Sequence, residues 1–410
     1  MILSLSIFLV ILYILFKHYE YGVVLIAALY IWLDLFSLTG SNILTYLSLV
    51  SLCLFICKKE YKGDLKQMPV RLALCVTGLS FFLTGFFAES PNIIPAILNC
   101  IREVGMIMIF YMVFQRNKEV LSKFYIKVSI VFASSFVVLA IIEMITSNNP
   151  YIDFVTNIGA YRVDTYIDEM RYGFKRCQSV FSMHTTLGGT ALLTCFPIAW
   201  NYYVVDKSEN LIKVIFWIVC AFLCAYASGA RSTMVGCAIA SMAFLKKSYL
   251  SPKYLVILLI FIALVCMNFS TNINEVYDSL VNSDNVGGSD TDMRLEQLNI
   301  SLKFLNHNFI LGNGIYAWTE IAQRTNLYGA ESIWFGLMID RGILGIISLV
   351  LFNVELLVYI LKKKMFRLFF YVVAFLVTSS MSSLPNIMYT SVVIPLMIMV
   401  SVKDKVKNHN

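Results

Sequence analysis

Long apolar runs separated by short polar segments alternate along the whole chain. Three of the longest are "ILSLSIFLVILYILF", "YLVILLIFIALVCMNF" and "ILGIISLVLFNVELLVYIL". At a rise of about 1.5 Å per residue, such runs can cross a hydrocarbon core roughly 30 Å thick. Backbone groups in lipid must be satisfied within the segment, so each run predicts a helix. The pattern predicts an all-α polytopic membrane protein, a bundle of about twelve transmembrane helices (about 11 to 13).

The composition agrees with this interpretation. Of 410 residues, 59% are hydrophobic and 14% are charged, and the mean hydropathy is +0.75. An ordinary soluble domain is far less apolar. The first run has no basic segment before it and no small-residue cleavage site after it, so we expect it to be retained as a helix. Residues 1–410 are treated as a single membrane domain.

Basic residues concentrate in a subset of the polar segments. These segments include "CKKEYKGDLKQMPVR", "QRNKEVLSKFYIK", "LKKSYLSPK" and "KKKMFR". The positive-inside rule assigns them to the cytoplasm and the segments between them to the exterior. Two external loops, 147–178 and 271–330, are far longer than a helix connection needs, and long loops often carry function. In the second, Leu295, Leu298, Leu302 and Leu305 share one face, which predicts a short amphipathic helix near the outer membrane surface.

Several classes of function have no support in the sequence. There is no phosphate-binding P-loop, no H-E-x-x-H zinc motif and no G-x-S-x-G nucleophile elbow. Two cysteine pairs are spaced i, i+4 (Cys53 with Cys57, and Cys220 with Cys224), but no histidine or second pair joins either at metal-ligand spacing. We therefore predict no metal, no cofactor and no nucleic-acid partner.

Arginines cluster in or beside the predicted external loops, where the positive-inside rule disfavours them. They are Arg162, Arg171, Arg176, Arg231, Arg294, Arg324 and Arg341. The planar guanidinium binds phosphate through paired hydrogen bonds, which favours an anionic ligand. The alternative is that each arginine reaches lipid headgroups or pairs with a nearby acid. Arg102 and Glu103 lie inside an apolar run, where such residues face a wet cavity or form a buried structural pair.

Four segments, in order, resemble the O-antigen polymerase and O-antigen ligase superfamily of bacterial polysaccharide enzymes. They are "RCQSVFSMHTTLGGTALL" from Arg176, "SGARS" at Ser228–Ser232, "DMRLEQLNISLKFLNHNFILGNGIYAW" from Asp292, and "ESIWFGLMIDRGILGIISLVLF" from Glu331. In the ligase branch the fourth segment starts with a His-Asn pair, whose histidine is the proposed catalytic base. Here that place holds Glu331, which favours a polymerase.

The resemblance implies a metal-independent glycosyltransferase in the bacterial cytoplasmic (inner) membrane. Its donor would be an oligosaccharide on undecaprenyl pyrophosphate, and its acceptor a hydroxyl of another repeat unit. Arg231 is the first candidate for the pyrophosphate and for catalysis, followed by Arg176 and Arg294, with Arg162, Arg171, Arg324 and Arg341 after them. Glu331 and His184 are the alternative general bases; the structural interpretation is that Glu331 pairs with a loop arginine and His184 is a hydrogen-bonded residue at a helix mouth.

Other interpretations stay open at this point. A ligase would transfer finished glycan to lipid A core or to a protein, and a flippase would carry the lipid-linked oligosaccharide across the membrane. A chain-length regulator is a candidate partner, together with membrane lipids. Aromatic residues in the external loops are candidates for stacking on sugars, although Tyr and Trp also populate membrane interfaces by default. They are Tyr151, Tyr161, Tyr166, Tyr172, Tyr316, Trp318 and Trp334.

Overall fold

The computed structural model is an almost entirely helical bundle. It describes residues 2–38, 41–58, 60–61, 65–158, 170–171, 174–205, 211–245, 291–324, 332–381 and 388–408. The α-helices are α1 (Ile2–Lys17), α2 (Tyr19–Ala28), α3 (Tyr30–Leu33), α4 (Ile43–Lys58), α5 (Arg71–Phe87), α6 (Ile93–Cys100), α7 (Met106–Arg116), α8 (Lys118–Thr146), α9 (Pro150–Asn157), α10 (His184–Val205), α11 (Leu211–Ala227), α12 (Arg231–Ser241), α13 (Thr291–His307), α14 (Ala317–Arg324), α15 (Ile333–Lys362), α16 (Leu368–Met381) and α17 (Met388–Asn408).

The remaining regular elements are short. A π-helical segment, Ile101–Gly105, joins α6 to α7, and 3₁₀ turns cover Leu65–Gln67 and Met242–Phe244. Two antiparallel hairpins are formed by β1 (Ser37–Leu38) with β2 (Ser41–Asn42), and by β3 (Met170–Arg171) with β4 (Phe174–Lys175).

The lengths and composition of the helices support an all-α membrane protein. Within the described residues, three helical segments are long and apolar enough to cross a bilayer: Ile93–Arg116, Lys118–Thr146 and Ile333–Lys362. Several other apolar helices are 10–17 residues long. Bulky side chains such as Val131, Ile212 and Phe216 are exposed on the bundle surface, as expected where lipid replaces water. The count of about twelve spans stays a prediction, since residues 246–290 lie outside the described part.

Contacts between polar segments define one end of the bundle, which we call the loop end. Trp32 Nε1 donates to the Tyr151 hydroxyl (3.1 Å), and the backbone N–H of Cys177 donates to the carbonyl of Ala227 (2.9 Å). Parts of both predicted long loops lie at this end, whereas Lys58, Arg116 and Lys362 end their helices at the opposite end, the basic end. Which end faces the exterior, and the treatment of residues 1–410 as one domain, stay predictions.

Helix α10 occupies the centre of the bundle. It packs against α8, α11, α12 and α17. Phe196 of α10, Phe136 of α8 and Phe375 of α16 are each almost fully buried. Helix α12 approaches α16 closely because Gly236 has no side chain: a Cβ there would collide with the Thr378 hydroxyl. This packing fixes the start of α12, and with it Arg231, relative to α10.

Helix α13 lies within residues 271–330, and its buried positions differ from the face that the leucine pattern predicts. Leu295 and Leu302 are exposed and Leu305 is buried. Gln297 and Ser301, which are 1% and 0% exposed, lie among the buried positions of this helix, which packs against α15. The exposed leucines agree with a helix that lies against lipid, and the buried positions of α13 combine an apolar residue, Leu305, with two polar ones.

Helix α15 is interrupted at Gly342, whose φ of 59° and ψ of −148° are accessible essentially only to glycine. The turn at Gly312–Gly314 docks against this break. The N–H groups of Asn313 and Gly314 donate to the carbonyls of Ile339 and Asp340 (2.8 and 3.2 Å), and the N–H of Ile343 donates to the carbonyl of Phe309 (2.8 Å). The turn thus replaces the helical hydrogen bonds that the break removes, as buried backbone groups require.

Candidate functional site

The "SGARS" segment forms a tight connection between α11 and α12. Gly229 has a φ of 63°, its N–H donates to the carbonyl of Tyr226 (2.8 Å), and the N–H of Ala230 donates to that of Ala225 (3.3 Å). This pair of bonds is the Schellman arrangement, which needs a left-handed residue and so favours glycine. Because the chain re-enters a helix at once, Arg231 becomes the first residue of α12.

Arg176 lies directly against this turn. Its Nε donates to the carbonyl of Ser228 (2.9 Å). Only 7% of the residue is exposed. The next residue, Cys177, donates its N–H to the carbonyl of Ala227, so two consecutive loop residues clasp the end of α11. The structure therefore brings together two of the three arginines ranked highest from the sequence.

The loop that carries Arg176 is anchored by Glu143, a residue that sequence reasoning missed. Glu143 Oε2 accepts hydrogen bonds from the N–H groups of Gln178 (3.0 Å) and Ser179 (2.7 Å) and from Asn149 Nδ2 (2.9 Å). The signal was present in the sequence, because Glu143 is an acid near the end of an otherwise apolar run. An ionisable residue in that position usually has a specific partner, here the loop backbone.

His184 begins α10 beside the same turn. It is 9% exposed, and one turn later Gly188 allows the backbone of α10 to approach α11 and α12. A Cβ at Gly188 would lie 2.8 Å from Ser228 Oγ and 3.1 Å from Thr233 Oγ1. The starts of α10 and α12 are thereby held close together, with His184 and Arg231 as their first residues.

This arrangement is electrostatically suited to an anion. Helix N-termini carry partial positive charge, so an arginine at the first position of α12 is unfavourable unless an anion compensates it. The N-cap residue, Ala230, has no side-chain hydrogen bond to the helix. Arginine side chains and helix starts both supply N–H donors of the kind that phosphate oxygens accept. We refer to Arg176, His184, Ser228 and Arg231 as the arginine site.

Two other kinds of chemistry find little support here. Burial raises the pKa of the neighbouring Cys177 thiol to about 12, so this sulfur is not a thiolate nucleophile at neutral pH. Among the residues that the structure describes, no group of three or more His, Cys, Asp or Glu side chains is arranged to hold a metal ion. The prediction of metal independence itself stays a prediction.

The remaining candidates are distributed elsewhere. Arg341 lies at the break of α15, 6% exposed, with its guanidinium carbon 4.4 Å from the centre of the Phe81 ring. Arg294 is partly buried on α13. The backbone places Arg171 in β3 and Arg324 at the end of α14, but their side chains lie outside the described part, as do Arg162 and Glu331 altogether. The structure thus brings Arg176, His184 and Arg231 together at one turn, and the functional roles of all the candidate residues stay predictions.

The two interpretations of Arg102 are also resolved in part. Its partner is Asp34, which follows α3, at 2.9 Å between Nη1 and Oδ1. No pattern along the sequence pairs residues that are 68 positions apart. Arg102 and Glu103 are both buried.

Comparison with known protein families finds a match that covers the second and third of the four motif segments and most of the fourth. Residues 216–350 match the family model described as "O-Antigen ligase", a family that covers ligases and polymerases of glycosyltransferase type. The match includes Arg231, Arg294 and Arg341, whereas Arg176 and His184 precede it. No curated protein matches the chain. The matched segment covers about a third of the chain and contains the arginine turn, and it supports the resemblance to the O-antigen ligase and polymerase superfamily.

Proposed function

We propose that the protein is a polymerase of a bacterial surface polysaccharide. It transfers an oligosaccharide repeat unit from undecaprenyl pyrophosphate to a hydroxyl of an acceptor repeat unit, at the outer face of the cytoplasmic membrane. The proposal places the loop end of the bundle, with its two long loops, outside the cell. This orientation follows the positive-inside rule, because Lys and Arg residues end so many helices at the basic end.

The observation that carries the proposal is the hydrogen-bonded contact between Arg176 and the "SGARS" turn. The hydrogen bond from Arg176 to the carbonyl of Ser228 fixes one guanidinium beside the helix start that carries the other, Arg231. A polyprenyl pyrophosphate develops negative charge as it leaves, and cations that are already oriented stabilise that charge without reorganisation. The two arginines are suited to that task.

The reaction forms one bond and breaks one. The acceptor hydroxyl oxygen bonds to the anomeric carbon of the donor, and the bond from that carbon to the pyrophosphate oxygen breaks, with its electron pair leaving on the pyrophosphate. The hydroxyl proton passes to a general base. His184, at the start of α10 in the arginine site, and Glu331, just before α15 in the sequence, are the two candidates, and we keep both.

Glu331 is the reason to prefer a polymerase to a ligase. In the resemblance drawn from the sequence, the ligase branch has a His-Asn pair where this chain has Glu331 and Ser332. A ligase that transfers glycan to lipid A core or protein is the main competitor. A chain-length regulator remains a candidate partner of the polymerase.

Purified protein tests the chemistry directly. In detergent, with a synthetic polyprenyl-pyrophosphate repeat unit and no membrane potential, we expect products of two or more repeats and release of the polyprenyl pyrophosphate. A flippase or other transporter would give no covalent product under these conditions. Unchanged substrate from folded, monodisperse protein would contradict the proposed function.

The surface polysaccharide of a deletion strain separates polymerase from ligase. Loss of a polymerase leaves single repeat units at the surface, whereas loss of a ligase leaves long chains on the polyprenyl carrier. We expect the ladder of chain lengths on a gel to collapse to its shortest band and to return when the gene is restored. A normal ladder in the deletion strain would exclude the polymerase.

A further inference from the structure

A second polar cluster lies at the loop end, around the π-helical segment. We call it the π cluster and define it as Asp34, Asn99, Arg102, Glu103, Tyr316 and Arg341. These side chains come from the α3–β1 connection, α6, the π segment, the 308–316 loop and α15. Such a convergence of charged and polar groups among apolar helices is costly unless it serves a purpose.

The backbone at the centre of the cluster is unusual and well supported. π-Helical turns are rare and occur often at functional sites. Here the carbonyl of Arg102 accepts a hydrogen bond from the Tyr30 hydroxyl (2.7 Å), and the carbonyl of Glu103 accepts one from the Thr390 hydroxyl (3.4 Å). Two neighbouring helices thus hold the π turn in place, and with it the side chains of Arg102 and Glu103.

Within the described part of the chain, two guanidinium nitrogens of the cluster are buried without a hydrogen-bond partner. They are Arg102 Nε and Arg341 Nη1. Arg102 is 5% exposed and Arg341 is 6% exposed. Arg102 Nη1 is used by Asp34 Oδ1 (2.9 Å), which also accepts from Asn42 Nδ2 (2.6 Å). Buried donors almost always have acceptors in native proteins, so these two indicate a ligand or water that completes the site.

Tyr316 covers the cluster and leaves part of its surface open. Its φ is 71°, in the left-handed region that is uncommon for residues other than glycine and is often found at functional sites. Its hydroxyl exchanges hydrogen bonds with the Asn99 amide (3.0 and 3.2 Å), and 37% of the residue is exposed. The side chain of Asp34 is 19% exposed. The cluster is thus fixed in position and accessible at its edge.

The charges of the π cluster argue against a second pyrophosphate site. The two arginines share the cluster with the carboxyl groups of Asp34 and Glu103, and Glu103 interacts electrostatically with both arginines. A ligand with many hydroxyl groups fits better, because carboxylates accept, guanidinium and amide groups donate, and a half-exposed aromatic ring offers an apolar surface. These are the complementary features of a pyranose ring.

We propose that the π cluster binds a sugar of the acceptor repeat unit, separately from the arginine site that holds the donor pyrophosphate. The ring of Tyr316 packs against one face of the pyranose, and Asn99, Asp34 and Arg102 hydrogen-bond its hydroxyls. This inference rests on the proposed function for the identity of the acceptor. Helix α17 links the two sites, since it packs on α10 and its Thr390 contacts the π segment.

Kinetics with a separate acceptor tests this assignment. The probe is the repeat-unit oligosaccharide of the source cells, released from its carrier lipid. Without the lipid pyrophosphate, this oligosaccharide can accept a sugar but cannot donate one. For Tyr316→Ala we expect the acceptor KM to rise about tenfold, because the variant loses one ring contact and the hydrogen bonds of the hydroxyl. The donor KM should be unchanged. Phe309→Ala is the matched control, because Phe309 is an aromatic residue of the same loop and is 53% exposed.

Two further measurements keep the result unambiguous. Tyr316→Phe retains the ring and loses the Asn99 hydrogen bonds, so its acceptor KM should lie between those of the native protein and Tyr316→Ala. Thermal unfolding of each variant excludes a loss of fold as the cause. An acceptor KM for Tyr316→Ala equal to that of the native protein, in an otherwise active enzyme, would overturn the acceptor site.

Failure of the proposed function gives a different result. Saturation-transfer NMR measures binding of the same oligosaccharide to protein that performs no transfer. Binding to the native protein that Tyr316→Ala abolishes would support the sugar site even if the polymerase reaction were absent. Binding that Tyr316→Ala leaves intact would overturn the site whatever the reaction.

Discussion

At the scale of single residues, the informative feature is a polar side chain buried at a position where an apolar side chain would be more stable. Arg176 donates a hydrogen bond to the carbonyl of Ser228, and Arg102 forms an ion pair with Asp34. Glu143 accepts hydrogen bonds from the backbone of the loop that carries Arg176. The sequence predicts that such residues matter, because their position in apolar runs is visible. It does not predict their partners, which lie tens of residues away and depend on how the helices pack.

Gln297 offers a test of a buried polar residue that has no partner. It is 1% exposed, and both polar atoms of its amide lack a hydrogen bond within the described structure. Gln297→Met keeps the volume and removes the unpaired amide, so we expect the free energy of unfolding to rise by about 1–3 kcal/mol. The measurement is the thermal unfolding midpoint in detergent.

Asn299→Met is the control for Gln297→Met, because Asn299 is exposed on the same helix. It should leave the midpoint unchanged. A lower midpoint for Gln297→Met would show that the amide has a stabilising partner. A higher midpoint with reduced glycan transfer would indicate that Gln297 is retained for substrate rather than for stability, a common trade-off at functional sites.

At the scale of elements, glycines explain the turns in three of the four motif segments that carry the resemblance. Gly229 permits the Schellman turn before Arg231, and Gly342 breaks α15 so that the turn at Gly312–Gly314 can dock. Spacing along the sequence predicts that these glycines mark turns. It could not predict that the third and fourth motif segments pack against each other, because that contact depends on tertiary structure.

Gly342→Ala should be one of the most destabilising substitutions in the chain. A Cβ at this position would lie 2.6 Å from the backbone nitrogen of Gly312 and 2.7 Å from the carbonyl oxygen of Phe309, and the backbone angles exclude a side chain. We expect the free energy of unfolding to fall by at least about 2 kcal/mol. Thermal unfolding of the purified variant measures this.

Gly336→Ala is the matched control on the same helix. A Cβ there would make only ordinary contact with the Trp318 ring, at 3.9 Å. Alanine is also the better helix former, so stability should be unchanged or slightly raised. Equal losses in the two variants would show that the break at Gly342 has no special role.

At the scale of the whole molecule, the alternation of apolar runs and basic segments predicts an all-α membrane protein, and the structure supports it. The pattern also separates a basic end from a loop end, which the contacts define independently. The number of spans is less predictable, because apolar helices of 10–17 residues occur beside three longer ones. The orientation in the membrane depends on the charges of the loops and on the insertion process, so the packing of the helices does not determine it.

Cysteine labelling in intact cells tests the orientation. Ser90→Cys, at the loop end, should react with a membrane-impermeant maleimide applied from outside, whereas Lys363→Cys, at the basic end, should react only after the membrane is permeabilised. The native protein, whose cysteines are mostly within apolar helices, is the background. The reverse pattern would put the arginine site in the cytoplasm and contradict the proposed function.

The central claim is that Arg231 and Arg176 hold the pyrophosphate of the donor, and the activity of Arg231 variants tests it most directly. With purified protein and a polyprenyl-pyrophosphate repeat unit, we expect Arg231→Ala to lower the transfer rate at least about 100-fold, the loss typical of one oriented donor to a developing charge. Arg231→Lys should recover little of it, because a point charge cannot replace the fork. Arg116→Ala, at the basic end with a side chain 52% exposed, should transfer at the native rate; native-rate transfer by folded Arg231→Ala would contradict the account.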